Sequence, residues 1–241
     1  MLPGTAAHVI QRGNNRAACF FGDEDRDFYL FHLRRLVARA RCRLHAYCLM
    51  SNHVHLLLTA EQTDGCALLM KSVGQLHTQY VNKRYGRSGH LWQGRFHSCL
   101  VQAEGYLLAC YRYIELNPVR AALARDPADY RWSSHAANAG GQPDGLLSPH
   151  EEYLRLGATP IERQTAYRNL FGEAPQPREL EEIRTATTGG YALGNAAFKQ
   201  SMALALGRRV DKGIAGRPPR TQAADNQLSL LGPQKTWSVP D

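Results

Sequence analysis

Two apolar runs, RLHAYCLM (residues 43–50) and HVHLLLT (53–59), are separated only by Ser51 and Asn52. A connection that short leaves the runs one arrangement, side by side and antiparallel as a hairpin. In a strand, successive side chains point to opposite faces. His53, His55 and Leu57 therefore share one face, and Val54, Leu56 and Leu58 the other. Two imidazoles on one face are either a two-point clamp for a metal ion or polar residues turned to water. The run by itself leaves both readings open.

The neighbouring segments extend the hairpin into a fold. AHVIQRG (7–13) alternates and runs into the Gly/Asn cluster RGNNRAA, a strand followed by a polar loop. DEDRDFYLFHLRRLVARARC opens with acids and carries Phe28, Phe31, Leu33, Leu36 and Val37, an amphipathic helix. After the hairpin, DGCALLMKSVGQLHTQYVNKRYG reads as a second helix with a basic end. GRSGHLWQGRF is a Gly-rich loop, FHSCLVQ a fourth strand and AEGYLLACYRYIELN a third helix. The order β-α-β-β-α-β followed by a helix predicts an α+β, ferredoxin-like split βαβ domain. Its antiparallel sheet lies under two helices, with the two-histidine strand inside the sheet.

A boundary falls near Pro149, after the loop AGGQPDGLLSP. Residues 1–149 form the main domain. Residues 150–206 read as a helical extension in pieces (IERQTAYRNLF, PRELEEIRTATT, LGNAAFKQSMALAL), either a helix-turn-helix that binds DNA or a small bundle packed on the core. Residues 207–241 are rich in Gly, Pro and polar residues and read as a disordered tail. Within it, GRRVDKGIAGRPPR is either a minor-groove hook or a solvated basic segment.

Charge narrows the partners. The net charge is +8, and from Lys71 to Arg125 eight Lys and Arg residues face only Glu104 and Glu115. Such a surplus favours a polyanion, nucleic acid first. The six cysteines include no C-x-x-C pair and are too sparse for a disulfide scaffold, so they read as reduced, buried thiols. The N-terminal stretch has no apolar signal core, which predicts a cytoplasmic protein associated with the nucleoid.

CYRYIELNPVRAAL (110–123) carries the remaining chemistry. Tyr113 and Asn117, spaced i and i+4, lie on one helix face about a turn apart. A tyrosine can act as a covalent nucleophile, and toward a phosphodiester it would give a phosphotyrosine link. Such a step calls for a divalent metal that screens and orients the phosphate. His53, His55 and Asn117 could supply two imidazoles and an amide oxygen as its ligands. Mg²⁺ and Mn²⁺ both suit that set. Pro118 complicates the helix, since the residue before a proline is pushed from helical geometry and Pro118 cannot bond back to Ile114. Tyr111 is the rival nucleophile. In QRGNNR, Arg12, Asn14, Asn15 and Arg16 suit phosphate and base-edge contacts. Lys83 and Arg84 add the basic end of the second helix. In GHLWQGRF, Arg95 suits a phosphate, and Trp92 is either a loop anchor or a platform for an unpaired base.

Taken together, RGNNR, YCLMSNHVHLLL, GHLWQGRF and RYIELNPVRA resemble, in order, the single-tyrosine HUH transposases, most nearly their REP-associated tyrosine transposase branch. The resemblance spans residues 8 to about 135 and continues more weakly beyond. It implies a nucleophile at Tyr113 and metal ligands at His53, His55 and Asn117. It also implies hairpin-bearing single-stranded DNA as substrate, a 5′-phosphotyrosine intermediate with a free 3′-hydroxyl, and strand joining by the reverse reaction. For oligomeric state it implies a monomer over a helix-exchanged dimer. The rival readings are a DNA-hairpin-binding protein without activity, a nuclease in which metal-activated water attacks, and an RNA-hairpin binder.

Overall fold

A computed structural model describes residues 1–213 of the 241-residue chain. The strands are β1 (Ala6–Arg12), β2 (Cys42–Leu49), β3 (His53–Ala60), β4 (His97–Val101) and the short β5 (Ala192–Leu193). The helices of the first half are α1 (Asp23–Arg39), α2 (Gly65–Arg84), α3 (Ala103–Glu115) and α4 (Asn117–Arg120). Those of the second half are α5 (His135–Asn138), α6 (Glu151–Leu154), α7 (Pro160–Asn169), α8 (Pro177–Gly189) and α9 (Ala196–Leu206).

The sheet order is β2-β3-β1-β4-β5. The first four strands pair antiparallel, and β5 pairs parallel to β4. The first four give the ferredoxin-like arrangement, with β3 inserted between β2 and β1. The Ser51–Asn52 hairpin forms as its length demands. Register is continuous along β1 and β3, where Ile10 stands opposite His55 and Arg12 opposite His53. A bulge at His45 breaks the β2–β3 register between Leu44 and Ala46.

Both faces of the sheet are covered. On one, Val9, Val54, Leu56 and Leu58 pack against Tyr29 and Leu33 of α1 and Leu69 and Val73 of α2. On the other, Ala6, Ala46, Leu57, Cys99 and Val101 pack against Leu107, Tyr111 and Ile114 of α3, Tyr167 of α7 and Ile183 of α8. Two helices over one face is therefore half of the arrangement. The second cover is shared between α3 and the stretch from residue 150 onward, which also supplies the fifth strand. α8 and α9 are separated by β5 and do not form a helix-turn-helix. All six cysteines are free and buried. Residues 214–241, which hold most of the tail read as disordered and the Gly-Arg-Pro segment, lie outside the described residues.

Candidate active site

The histidine face of β3 is closed over by helices. His55 is 1 % exposed, so the reading of an imidazole turned to water does not hold for it. His53, at the start of β3, is half-buried. Their rings meet edge to face with centroids 4.9 Å apart. Burial holds both rings neutral. His53 is pushed down to about 4 by burial and then by the Arg12 guanidinium, and His55 is held well below the ordinary imidazole range mainly by burial.

The hydrogen-bond network assigns the tautomers. The Thr187 hydroxyl of α8 donates to the Ile183 carbonyl at 2.7 Å, so its oxygen accepts from His8 Nδ1 at 2.8 Å. His8 Nε2 then carries a lone pair and accepts from His55 Nδ1 at 2.8 Å. That leaves the lone pair of His55 on Nε2. The same logic applies to His53. The Asn52 amide nitrogen donates to the Arg16 carbonyl at 3.1 Å, and its oxygen accepts from His53 Nδ1 at 2.6 Å. The lone pair of His53 also sits on Nε2. Fixing one ring nitrogen so that the other is a ready donor to a metal is how proteins prepare imidazole ligands.

Tyr113 projects from α3 onto this group. Its ring is 5.8 Å from that of His55 and 5.6 Å from that of His8, edge-on to both. It is 7 % exposed, and the Arg120 guanidinium lies over it at 4.4 Å from the ring centroid. Arg120 also donates to the Tyr113 carbonyl at 2.8 Å. Tyr111 lies elsewhere. It is fully buried against Tyr153 and Tyr167, and its hydroxyl has no partner. Burial raises that phenol far above its usual range, so it is a core residue and a poor nucleophile.

The helix does break at the proline. α3 stops at Glu115, and α4 begins at Asn117 with Pro118 in its first turn. The break strands the Ile114 carbonyl, which Pro118 cannot reach with an N–H. The Asn117 side chain compensates, its amide nitrogen donating to the Tyr113 carbonyl at 3.0 Å and to that of Ile114 at 3.4 Å. Its amide oxygen remains an open acceptor.

Among the described residues no group of three or more His, Cys, Asp or Glu side chains is disposed to hold a metal ion. A metal here would depend on the two Nε2 lone pairs and an amide oxygen. The donor chemistry fits, because each candidate has its other polar atom tied to protein.

The expected DNA-contacting residues fall in two groups. Arg12 ends β1 beside His53 and borders a small cleft of about 150 Å³ with Gln93 and His97. Asn14, Asn15 and Arg16 are exposed in a 3-10 turn whose last two residues take positive φ, 51° and 59°. Lys83 and Arg84 are exposed at the end of α2, on the far side of the sheet. Arg84 is occupied by Glu24 and Asp25, at 3.7 and 3.8 Å. Trp92 is buried, its indole N–H donating to the Gly74 carbonyl at 3.0 Å, so it anchors its loop. Arg95 is exposed nearby.

The sequence reading passed over His8, Asn52, Thr187 and Arg120. Asn52 is adjacent to His53, and Arg120 lies seven residues beyond Tyr113, across the break between α3 and α4. His8 and Thr187 carry no local signal, because they are 179 residues apart.

Residues 3–117 match the family model described as "Transposase IS200 like". No curated protein matches the chain. Among solved structures, a REP-associated tyrosine transposase bound to a REP hairpin aligns at 14 % identity over 62 % of this chain and 88 % of that one, with a TM-score of 0.48. A Deinococcus radiodurans R1 structure described as a transposase aligns at 20 % identity over 51 % and 88 %, with a TM-score of 0.36.

Proposed function

We propose, from the membership of residues 3–117 in the transposase IS200-like family, that this protein is a metal-dependent single-strand DNA endonuclease and strand transferase. The observation that carries the reading is the pairing of two neutral imidazoles, both with free Nε2 lone pairs, with a tyrosine ring 5.8 Å from the nearer one.

In this reading Tyr113 is the nucleophile. Its phenol oxygen bonds to the scissile phosphorus as the bond from phosphorus to the 3′ oxygen breaks. The phenol proton is released, and the departing oxygen takes one up to become a 3′-hydroxyl. The DNA 5′ end is then held as a phosphotyrosine. Attack of a 3′-hydroxyl on that link reverses the step and joins strands, so no external energy source is consumed. His53, His55 and Asn117 would hold a divalent ion, Mg²⁺ or Mn²⁺, which supplies charge neutralisation and orientation at the phosphate. Arg120 would fix the Tyr113 ring by lying over its face and bonding the Tyr113 carbonyl. Arg12, Asn14, Asn15 and Arg16 line the approach, and Arg95, Lys83 and Arg84 serve a longer DNA path.

The substrate in this reading is hairpin-bearing, REP-like single-stranded DNA, the protein acts as a monomer, and its place is the nucleoid. No described helix is long and apolar enough to cross a membrane.

The test is incubation with hairpin-bearing single strands from the flanks of the gene and Mn²⁺, followed by denaturing electrophoresis and mass spectrometry. A metal-dependent adduct on Tyr113 that is lost in Tyr113→Phe and retained in Tyr111→Phe is the expected result. Cleavage without an adduct would mean attack by water, and binding without cleavage would mean a hairpin binder.

A further inference from the structure

A cavity of about 740 Å³ opens on the face of the sheet opposite Tyr113, between α2 and the loop of residues 90–96. We propose that it binds an unpaired base of single-stranded DNA, read by the Gln11 side chain, with Lys71 and Arg95 on the adjoining phosphates. The proposal rests on the DNA-processing reading above and adds to it a second contact site away from the reacting phosphate.

Gln11 is the central observation. Alternation along β1 puts Gln11 on the α2 side, while His8 and Arg12 face the tyrosine. Gln11 is 7 % exposed, and its buried carboxamide oxygen has no protein partner. Leaving a buried acceptor unpaired is costly, so such groups call for a ligand or water. A carboxamide offers a donor and an acceptor side by side, which matches the edge of a nucleobase.

The walls suit the rest of a nucleotide. Met70, Leu91, Trp92 and Phe96 provide apolar surface for a base plane. At Gly74 a Cβ would stand 3.4 Å from the Trp92 indole nitrogen and 3.5 Å from the Gln11 carboxamide, ordinary contact distances, so the α2 wall lies directly against both side chains. Lys71 and Arg95 are exposed at the rim, as phosphate contacts need to be. A volume of this order is that of a ligand site with a few polar groups in a mostly apolar wall.

The cavity is also joined to the tyrosine side. The Asn14 N–H donates to the Leu91 carbonyl at 2.8 Å, and the Gln93 N–H donates to the Arg12 carbonyl at 2.8 Å. The loop is thus stitched to the end of β1, where Arg12 stands opposite His53. A strand held in the cavity passes over that stitched rim toward the histidines.

The test uses the full chain and oligo-dA, oligo-dC and oligo-dT about a dozen nucleotides long, within the footprint of single-strand binding grooves. Tryptophan emission and fluorescence anisotropy report binding, and oligonucleotides carrying 5-iododeoxyuridine report position by photocrosslinking and peptide mapping. The expected result is saturable quenching, with crosslinks in residues 90–96. Gln11→Leu keeps the side-chain volume. It should weaken binding of at least one homopolymer by about threefold to tenfold, the worth of one hydrogen bond, and leave an abasic oligomer unaffected. Lys199→Ala on α9 should change nothing. Crosslinks confined to other peptides, or equal loss for abasic and base-bearing strands in Gln11→Leu, would overturn the proposal. The Tyr113 adduct on hairpin DNA is measured separately. Adduct without cavity crosslinks removes this site alone, and cavity crosslinks without adduct remove the transferase reading alone.

Discussion

The chain of hydrogen bonds from Thr187 through His8 to His55 makes a hydroxyl on a distant helix responsible for which nitrogen of His55 is free. Thr187→Val keeps the shape and removes the acceptor. We expect Mn²⁺ affinity to fall about tenfold to a hundredfold, the usual effect of losing such a supporting partner, with the circular dichroism spectrum unchanged; titration calorimetry checks it. Another buried histidine, away from this face, adds to the acid sensitivity of the fold. His45 is buried in the sheet, bonded to the Ser148 carbonyl at 2.7 Å and to the Thr59 hydroxyl at 2.9 Å, and burial lowers it to about 4 from an ordinary 6.5. Between those values the unfolded chain binds a proton there and the folded chain does not. Stability is therefore full above pH 6.5 and declines as pH falls toward 4. The share of this one group is about 3 kcal/mol, and urea titrations across that range should show a shallower decline in His45→Gln. Spacing made His53, His55 and Tyr113 legible as candidates, because each lies within one strand or one turn of a partner. His8 and Thr187 were illegible for the opposite reason: only the folded sheet brings them together.

Among the elements, α3 is tied down by a single buried carboxylate. Glu115, two residues beyond Tyr113, is fully buried, and its carboxylate accepts from Ser134, His135, Asn138 and Tyr167 at 2.5, 3.0, 2.8 and 2.8 Å. One side chain thus ties the tyrosine helix to α5 and α7. Glu115→Ala would leave those donors buried and unpaired and should cost about 3–5 kcal/mol, the scale for breaking a buried charged contact; the midpoint of urea denaturation reads it. Glu115→Gln, which keeps two acceptor directions, should cost less. The helices themselves were readable from periodicity, including α7 and α8. Their docking partners were not, because an apolar stripe says that a face is buried and not against what. β5 escaped altogether, being two residues long, too short for any alternation to register.

At the scale of the molecule, the part before Pro149 and the part after it share one sheet and one apolar layer. Residues Tyr167, Ile183, Ala186 and Leu193 lie in the same buried cluster as Leu57 and Tyr113. A chain cut at residue 149 would expose that layer, and we expect it to be insoluble or to lose its cooperative thermal transition, where chains ending at 213 keep it; differential scanning calorimetry distinguishes them. The sequence reading separated the two parts at a Gly/Pro-rich loop because composition changes there, while the packing runs across it. The bond between His8 and Thr187 has a consequence in time as well as in space. During synthesis both strand histidines and the tyrosine emerge well before α8 does, and His55 has no fixed tautomer until the ribosome has delivered Thr187. The histidine face is thereby unfinished for most of the chain's synthesis, and a message broken before that codon yields a product carrying both strand histidines and Tyr113 but not the hydroxyl that fixes the His55 tautomer.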